Sequence, residues 1–444
     1  MFVFRLLLFV VTNGSGSKEN GQIIGIKQEM ILGYNGLGGK ERIMKRLLLV
    51  LSSILLSAVL TVPFATSIEA FNSGQSLREN IVKGNTAFAV QSYRELGAKE
   101  GNLFFSPYSI SSAMGMTYAG ARGNTAREMK EVLNLNLGQA ELHSAFKELT
   151  EELVTTAKKR GQKLNIANAL VLTGGDVSGE FKTILKDNYD AEIFGGGLDT
   201  INDWVKQKTE GKIEKILAEL SPNSVCVLLN AIYFKGIWEN QFQKSNTHDA
   251  FFSVSASKKV KVPLMHQKSN FKIMTEKDFQ AISIPYKGND LSMIILLPQT
   301  VDGLVLMEKQ LTTQNLKEWL AKLDKQRVQK VELYLPKFKL ETSYDLKSSF
   351  EKMGMKNAFG GAADFSGMGW PKGKLWISQI KHKAFVEVNE EGTEAAAATA
   401  VEMATKSIPN DVVFSVDHPF LFIIRDNQSG SIVFMGRMIN PDNK

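Results

Sequence analysis

Five histidines, His143, His248, His266, His382 and His418, and a single cysteine, Cys226, are the side chains of this sequence best suited to acid–base, metal or nucleophilic chemistry. The histidines are scattered without the spacing of a metal site, and His418, just ahead of a proline at a strand entry, reads as structural. Cys226 lies in Val225-Cys226-Val227-Leu228-Leu229, an apolar run that suits a buried thiol far better than a nucleophile. No Gly-x-Ser-x-Gly elbow, His-Glu-x-x-His pair or Walker loop is present, and the carboxylates show no diagnostic pairing. The chain is therefore not expected to be an enzyme, or to hold a cofactor or a metal.

What remains is chemistry done on the chain itself. Glu390 to Ser407 reads Glu-Glu-Gly-Thr-Glu-Ala-Ala-Ala-Ala-Thr-Ala-Val-Glu-Met-Ala-Thr-Lys-Ser. Its alanines and glutamates suit a helix by propensity, and an Ala-rich stretch between strands also suits a linker. Alternation offers a third reading. Thr393, Ala395, Ala397, Thr399, Val401 and Met403 would share one face of an extended chain, all small or apolar. Glu394, Ala396, Ala398, Ala400, Glu402 and Ala404 would share the other, which carries both charges. Such a segment fits a half-buried strand and a solvated loop equally, and so suits two locations.

A large scaffold must position it. Residues 76–444 read as one continuous domain, with no Pro/Ser-rich linker, long charge run or internal repeat. The first half is mainly helical by period: Ile81 to Leu96, Asn124 to Leu133 with Asn124 as its cap, Ala140 to Arg160, and Ile201 to Ile216. Leu164 to Thr173 reads as a strand. From Val225 onward strands dominate, at Val225 to Tyr233, Ala281 to Pro285, Leu291 to Leu297, Gln329 to Leu335, Ala384 to Val388, Val412 to Phe414 and Leu421 to Arg425. Helices followed by many strands predict an α+β fold with large mixed or antiparallel sheets. A composition 43% apolar and 22% charged is that of a soluble globular chain with ample core, and one cysteine excludes an intrachain disulfide.

Six blocks, in order, carry a resemblance to a known family. They are Asn102 to Met116, Ala119 to Thr125, Ile201 to Val205 with Thr209 to Ile213, Leu229 to Trp238, Glu390 to Ala397, and the C-terminal run from Lys406 through Asp417-His418-Pro419-Phe420 to Asn440-Pro441. Together they resemble the serpins, over nearly the whole domain. The resemblance implies a serpin fold with an exposed reactive-centre loop at about 390–409. It implies a hinge formed by Glu390, Gly392, Thr393, Glu394, Ala395, Ala396, Ala397 and Ala398, and a reactive bond between Lys406 and Ser407. Ser106, Ser109, Asn230 and His382 would form the shutter, where the central sheet parts to admit a strand. Glu390 would face Lys337 at the top of the sheet, with Trp238 in the same region.

The implied activity is inhibition of trypsin-like serine proteases. Lys406 would enter a basic-selective pocket, and the cleaved loop, seventeen residues from 390 to 406, would insert as a new central strand about 55 Å long. Met403 or Thr405 would take the place of Lys406 if the loop were read in another frame. The odd-numbered face from Thr393 to Met403 is expected to become buried only after cleavage. The competing reading is a non-inhibitory relative, acting as a binding or folding module, whose loop is a plain substrate. A monomer is expected in either case.

Charge adds little. The formal net charge is +7, of which the first 70 residues contribute +3, from seven Lys/Arg against four Asp/Glu. The +4 left over is too mild to argue for nucleic acid. Lys158, Lys159, Arg160 and Lys163 suit weak contact with a polyanion, but suit better a solvated helix end whose cations complement the dipole.

The N-terminal region reads as processing sequence. Met44-Lys45-Arg46, followed by apolar residues to Val62 and a small residue at Ala70 (or Ala65), predicts a secretory signal peptide over 44–70. The apolar run is short for a membrane span and several serines interrupt it. Residues 1–43 are glycine-rich and unpatterned, and read as an upstream extension from a misassigned start codon. Lys40-Glu41-Arg42-Ile43 suits a translated ribosome-binding stretch, which would make the source bacterial, and removal of the signal peptide would leave the protein secreted or extracellular, or else periplasmic.

Overall fold

A computed structural model describes residues 77–221, 224–393 and 412–442. The expected upstream extension (1–43) and signal peptide (44–70) lie outside the described residues, as do Glu394 to Ala398, Lys406 and Ser407.

Among the described residues one sheet holds six strands. Across it run Phe338–Asp345, Ile377–Val388, Cys226–Ile237, Lys163–Leu172 and Glu192–Gly195, with the two-residue strand Gly392–Thr393 set between the second and third. The seam that matters lies between Cys226–Ile237 and Ile377–Val388. These strands pair directly and in parallel from Cys226 opposite Ile377 up to Tyr233 opposite Phe385. Above that level Gly392 and Thr393 wedge between them.

Both faces of this sheet are covered, which is why Cys226–Ile237 reads as an almost unbroken apolar run without strand alternation. One face rests on the main core, against the wholly buried Pro107–Tyr118 helix. Residues Leu142, Phe146, Leu149 and Leu153 of the Gln139–Lys159 helix add an apolar stripe at helical spacing. The other face carries Ala167, Ala169, Val227, Leu229 and Phe385, roofed by Ile201, Trp204 and Val205 of the Leu198–Lys208 helix.

That helix is shorter than the expected Ile201 to Ile216. Glu210 and Gly211 take left-handed backbone conformations (φ 53° and 77°) that turn the chain back. Asn202 Oδ1 then accepts from the Ile216 and Leu217 N–H groups at 2.9 and 3.1 Å, so residues 209–217 fold over the helix as a capped return. Asn124 also differs from expectation. The helix is Gly123–Val132, with Arg122 at its N-cap and no side-chain cap bond; the start is fixed instead by the Arg122 N–H, which donates to the Asp364 carbonyl at 2.9 Å.

A second, mixed sheet, of nine strands among the described residues, holds the buried hairpin Phe420–Asp426 and Ile432–Met438 next to its edge strand Leu103–Phe105. Its far edge is Val412–Ser415, paired in parallel with Val328–Pro336. Next to that strand runs the long Lys258–Thr275 strand, which forms a hairpin with His248–Ser255. The α+β class and the large mixed sheets agree with the sequence reading. Among the described residues no helix is long and apolar enough to cross a membrane.

Candidate functional site

The seam carries polar side chains at two levels. At the middle, Asn168, Asn230, His382 and Tyr344 occupy matching positions on four adjacent strands, forming one row across the sheet. Ser106 and Ser109 reach this row from the Pro107–Tyr118 helix. Ser106 Oγ caps that helix by accepting from the Ser109 N–H at 3.1 Å, and donates to the Val433 carbonyl at 2.5 Å. The Ser106 N–H donates to His382 Nε2 at 3.1 Å. With Nε2 an acceptor, the imidazole proton must sit on Nδ1, which donates to Asn230 Oδ1 at 2.6 Å. The Asn230 amide donates onward to Ser109 Oγ and Asn168 Oδ1, each at 2.6 Å.

These five side chains are buried, and Tyr344 stacks against the imidazole at 6.3 Å. Burial holds the His382 pKa down to about 3, so the ring is neutral at any ordinary pH. The structure thus brings together all four residues expected at this level and adds Asn168, which sequence reasoning missed.

At the top of the seam the chain leaves Ile377–Val388 and reverses through Asn389 to Gly392. Asn389 Oδ1 accepts from the Glu391 N–H at 3.1 Å, and the Asn389 N–H donates to the Gly392 carbonyl at 2.9 Å. Gly392 then pairs with Ile237, and Thr393 with Gly236 on one side and Val388 on the other. Two glycines permit this. A Cβ on Gly392 would lie 2.0 Å from the Gly236 carbonyl oxygen, and one on Gly236 would strike the Phe234 and Tyr286 rings. Thr393 is completely buried, its hydroxyl 2.7 Å from the Tyr286 hydroxyl. The expectation that Thr393 is buried only after cleavage is therefore wrong: the turn at Asn389 and the glycine crossing set it inside the sheet in the intact chain.

Charged groups fasten this turn. Lys337 Nζ reaches both Glu390 carboxylate oxygens, at 3.1 and 2.9 Å, and the Thr247 hydroxyl donates to Glu390 Oε1 at 2.9 Å. Burial alone would raise the Glu390 pKa, but the Lys337 ammonium, a backbone N–H and the Thr247 hydroxyl together hold it below its ordinary value. Lys244 pairs with Glu391 at 2.9 Å. Trp238 stacks on Tyr286 at 4.6 Å, donates from Nε1 to the Asn389 carbonyl at 3.0 Å and from its N–H to the Glu391 carbonyl at 3.0 Å. Glu390, Lys337 and Trp238 were anticipated here. Lys244, Thr247, Tyr286 and Gly236 were not, although a glycine inside a strand is a known sign of close backbone approach.

The other candidates do not join the site. Arg160 pairs with Asp290 and Lys163 with Glu210, each at 2.6 Å, while Lys158 and Lys159 close the last turn of their helix. Cys226 is buried, its thiol pushed up to about 12 by desolvation. Among the described residues no cluster of His, Cys, Asp and Glu could hold a metal ion.

The arrangement can do one thing chemically: exchange hydrogen bonds along a seam into which a neighbouring strand has begun to enter. A family profile described as Serpin (serine protease inhibitor) matches residues 83–441. Serpin B4 of Homo sapiens is 38% identical over 395 residues, 82% of this chain and all of that protein. A leukocyte elastase inhibitor of Sus scrofa is 39% identical over 387 residues, again the whole of the relative and 82% of this chain. Among solved structures, human thyroxine-binding globulin superposes with a TM-score of 0.76 at 30% identity, covering 82% of this chain and 99% of that one. None of these likenesses supports a bacterial source. The profile spans most of the chain and the relatives match along their full length, so this chain belongs to the serpin family.

Proposed function

We propose that this protein inhibits serine proteases of trypsin-like specificity as a suicide substrate. The protease serine attacks the Lys406 carbonyl, the amine of Ser407 leaves with a proton from the protease histidine, and an acyl ester is left on Lys406. Insertion of the freed loop along the seam then carries the acylated protease away before water completes hydrolysis. The observation that supports this reading is the pairing of Gly392 and Thr393 between Cys226–Ile237 and Ile377–Val388, since the loop begins at the mouth of the channel it would fill. Serpin B4 and the leukocyte elastase inhibitor share the family, and the second is named for an elastase, so lysine preference rests on Lys406 alone.

Incubation with trypsin tests mechanism and bond together. An SDS-stable complex and a released peptide beginning at Ser407 are expected. Clean cleavage with full protease activity remaining would support the alternative, a binding module with a substrate loop, which the likeness to a thyroxine-binding globulin keeps in view. Shutter behaviour for the Ser106, Ser109, Asn230 and His382 group, hinge roles for residues 390–398, secretion directed by residues 44–70, a monomeric state and weak polyanion contact at Lys158 to Lys163 belong to the same proposal.

A further inference from the structure

One buried titratable pair takes no part in the seam. His143, 6% exposed, stands in the second turn of the Gln139–Lys159 helix, and its Nδ1 lies 2.6 Å from the Tyr189 hydroxyl. Tyr189 is the last residue of the Gly179–Tyr189 helix. The two rings meet edge to face at 5.6 Å, and Phe146 lies against Tyr189 at 5.9 Å. The Pro107–Tyr118 helix closes the junction from a third side, where Gly115 makes the room. A Cβ on Gly115 would lie 2.9 Å from the Phe146 ring and 3.3 Å from the Tyr189 hydroxyl.

No counter-ion meets the imidazole. On its own helix Glu141 turns back to accept from the Gly138 N–H at 3.4 Å, and Lys147, one turn on, does not act on the ring. Neither do Lys186 and Asp190 beside Tyr189. The Pro107–Tyr118 helix has no charged residue and brings only the Tyr108 phenol, which bonds Thr150 at 2.7 Å. The strand Lys163–Leu172 under the same helices has one cation, Lys163, and that pairs with Glu210. Burial alone therefore acts on His143 and holds its pKa down to about 4. A protonated ring would carry a donor on each nitrogen and meet no carboxylate.

Tyr189 also marks a joint in the chain. Asp190 ends the helix in a left-handed conformation (φ 46°), and two residues later Glu192–Gly195 begins, the outer strand of the six-stranded sheet. Among the described residues that strand pairs on one side only, with Ala169 to Leu172. The contact that seats the helix thus also seats a sheet edge. We infer that the His143–Tyr189 pair is an acid-released catch: proton uptake by His143 frees the Gly179–Tyr189 helix and the edge strand Glu192–Gly195 while the seam stays closed. In the freed state the ring meets water and titrates near its ordinary 6.5, so the closed state, favoured above that pH, loses ground as pH falls from 6.5 towards 4. Between pH 8 and pH 5 the open fraction should rise about thirtyfold. His382 stays buried in both states, and its own titration does not enter this balance.

Hydrogen exchange by mass spectrometry on the full chain from pH 8 to pH 5, corrected for intrinsic exchange rates, tests this. Opening of residues 179–195 should rise about thirtyfold, while the seam strands 226–237 and 377–388 change less than about threefold. His143→Gln keeps an acceptor for the Tyr189 hydroxyl but takes up no proton, and should flatten the rise. Tyr189→Phe keeps the ring and loses the bond, so opening should increase at every pH with its pH dependence retained. Proton NMR of the unmodified protein needs no variant: the His143 ring, identified by its contact with the Tyr189 ring, should stay neutral down to pH 5. A His143 midpoint at pH 6 or above would overturn the inference. An equal rise in His143→Gln, or a rise shared by the two seam strands, would do the same.

Discussion

At the middle of the seam, Ser106, Ser109, Asn168, Asn230 and His382 are buried, neutral and bonded to one another. At its top, Glu390 and Glu391 are buried but their partners Lys337 and Lys244 reach out towards water. Both groups tie the same part of the sheet, by different physics. A closed neutral network leaves dry, unpaired groups behind when any member is lost. An ion pair beside solvent is screened, and its partners can be rehydrated as they separate. The top is therefore the end that parts at lower cost, and it is the end where Gly392 and Thr393 already lie.

The comparison breaks if damage to the middle is tolerated. Asn230→Leu keeps the branched shape of the side chain but strands the His382 Nδ1–H, Ser109 Oγ and Asn168 Oδ1. A loss of about 3–5 kcal/mol in urea unfolding of the intact protein is expected, with new oligomers on native gels.

Acid should strain the middle before the top. The His382 pKa of about 3 lies below its ordinary 6.5, so unfolding takes up a proton, and stability present above pH 6.5 is lost as pH falls from there towards 3. Between pH 6.5 and 5 this is worth at most about 2 kcal/mol. The depressed Glu390 carboxyl contributes stability that is present above its ordinary range and lost only below it. Buried His143, held at about 4, adds in the same direction as His382, so the relevant measurement is the difference in urea midpoint between the unmodified protein and His382→Asn from pH 7 to pH 5. Parallel curves would remove His382 from the account.

At the top the effects should be smaller. Lys337→Met should cost about 1 kcal/mol, since Lys337 is partly exposed and Thr247 still bonds Glu390. Lys244→Met should leave the urea midpoint unchanged within error. Should either exceed the loss from Asn230→Leu, the ranking of the two levels is reversed.

Elements with strong local periodicity were legible from sequence: the long amphipathic helix at Gln139–Lys159 and the strands around Leu291 and Phe420 lie where their patterns put them. The Leu198–Lys208 helix ended early because its return depends on Asn202, Glu210 and Gly211 acting together, which periodicity does not encode. Ser106, Ser109, Asn230 and His382 could be grouped only by resemblance, since their contacts span up to 276 residues of chain. Asn168 did leave a trace. It shares a strand face with Ile166, Leu170 and Leu172, and one amide on an apolar face calls for a polar partner. Tyr286 left none, because its contact with Thr393 spans 107 residues between two otherwise unremarkable side chains.

The two-residue strand at Gly392–Thr393 also works as an index mark. Thr393 opposite Gly236 and Val388 leaves no freedom in how a strand growing from it would align. Counted onward without a slip, Ala395 meets Phe234, Ala397 meets Ile232, and Thr399 arrives opposite Asn230 and His382 at once. A threonine hydroxyl both accepts and donates, so at that position it could take the proton His382 Nδ1 now offers Asn230 and offer its own to Asn230 in return. Met403 would then reach Cys226, the first residue of the strand, and Lys406 would pass beyond it. A structure of the cleaved protein should show that alignment, and one residue added between Thr393 and Thr399 should jam it by turning the charged face inward. Two residues thus address the thirteen that follow, from Glu394 to Lys406.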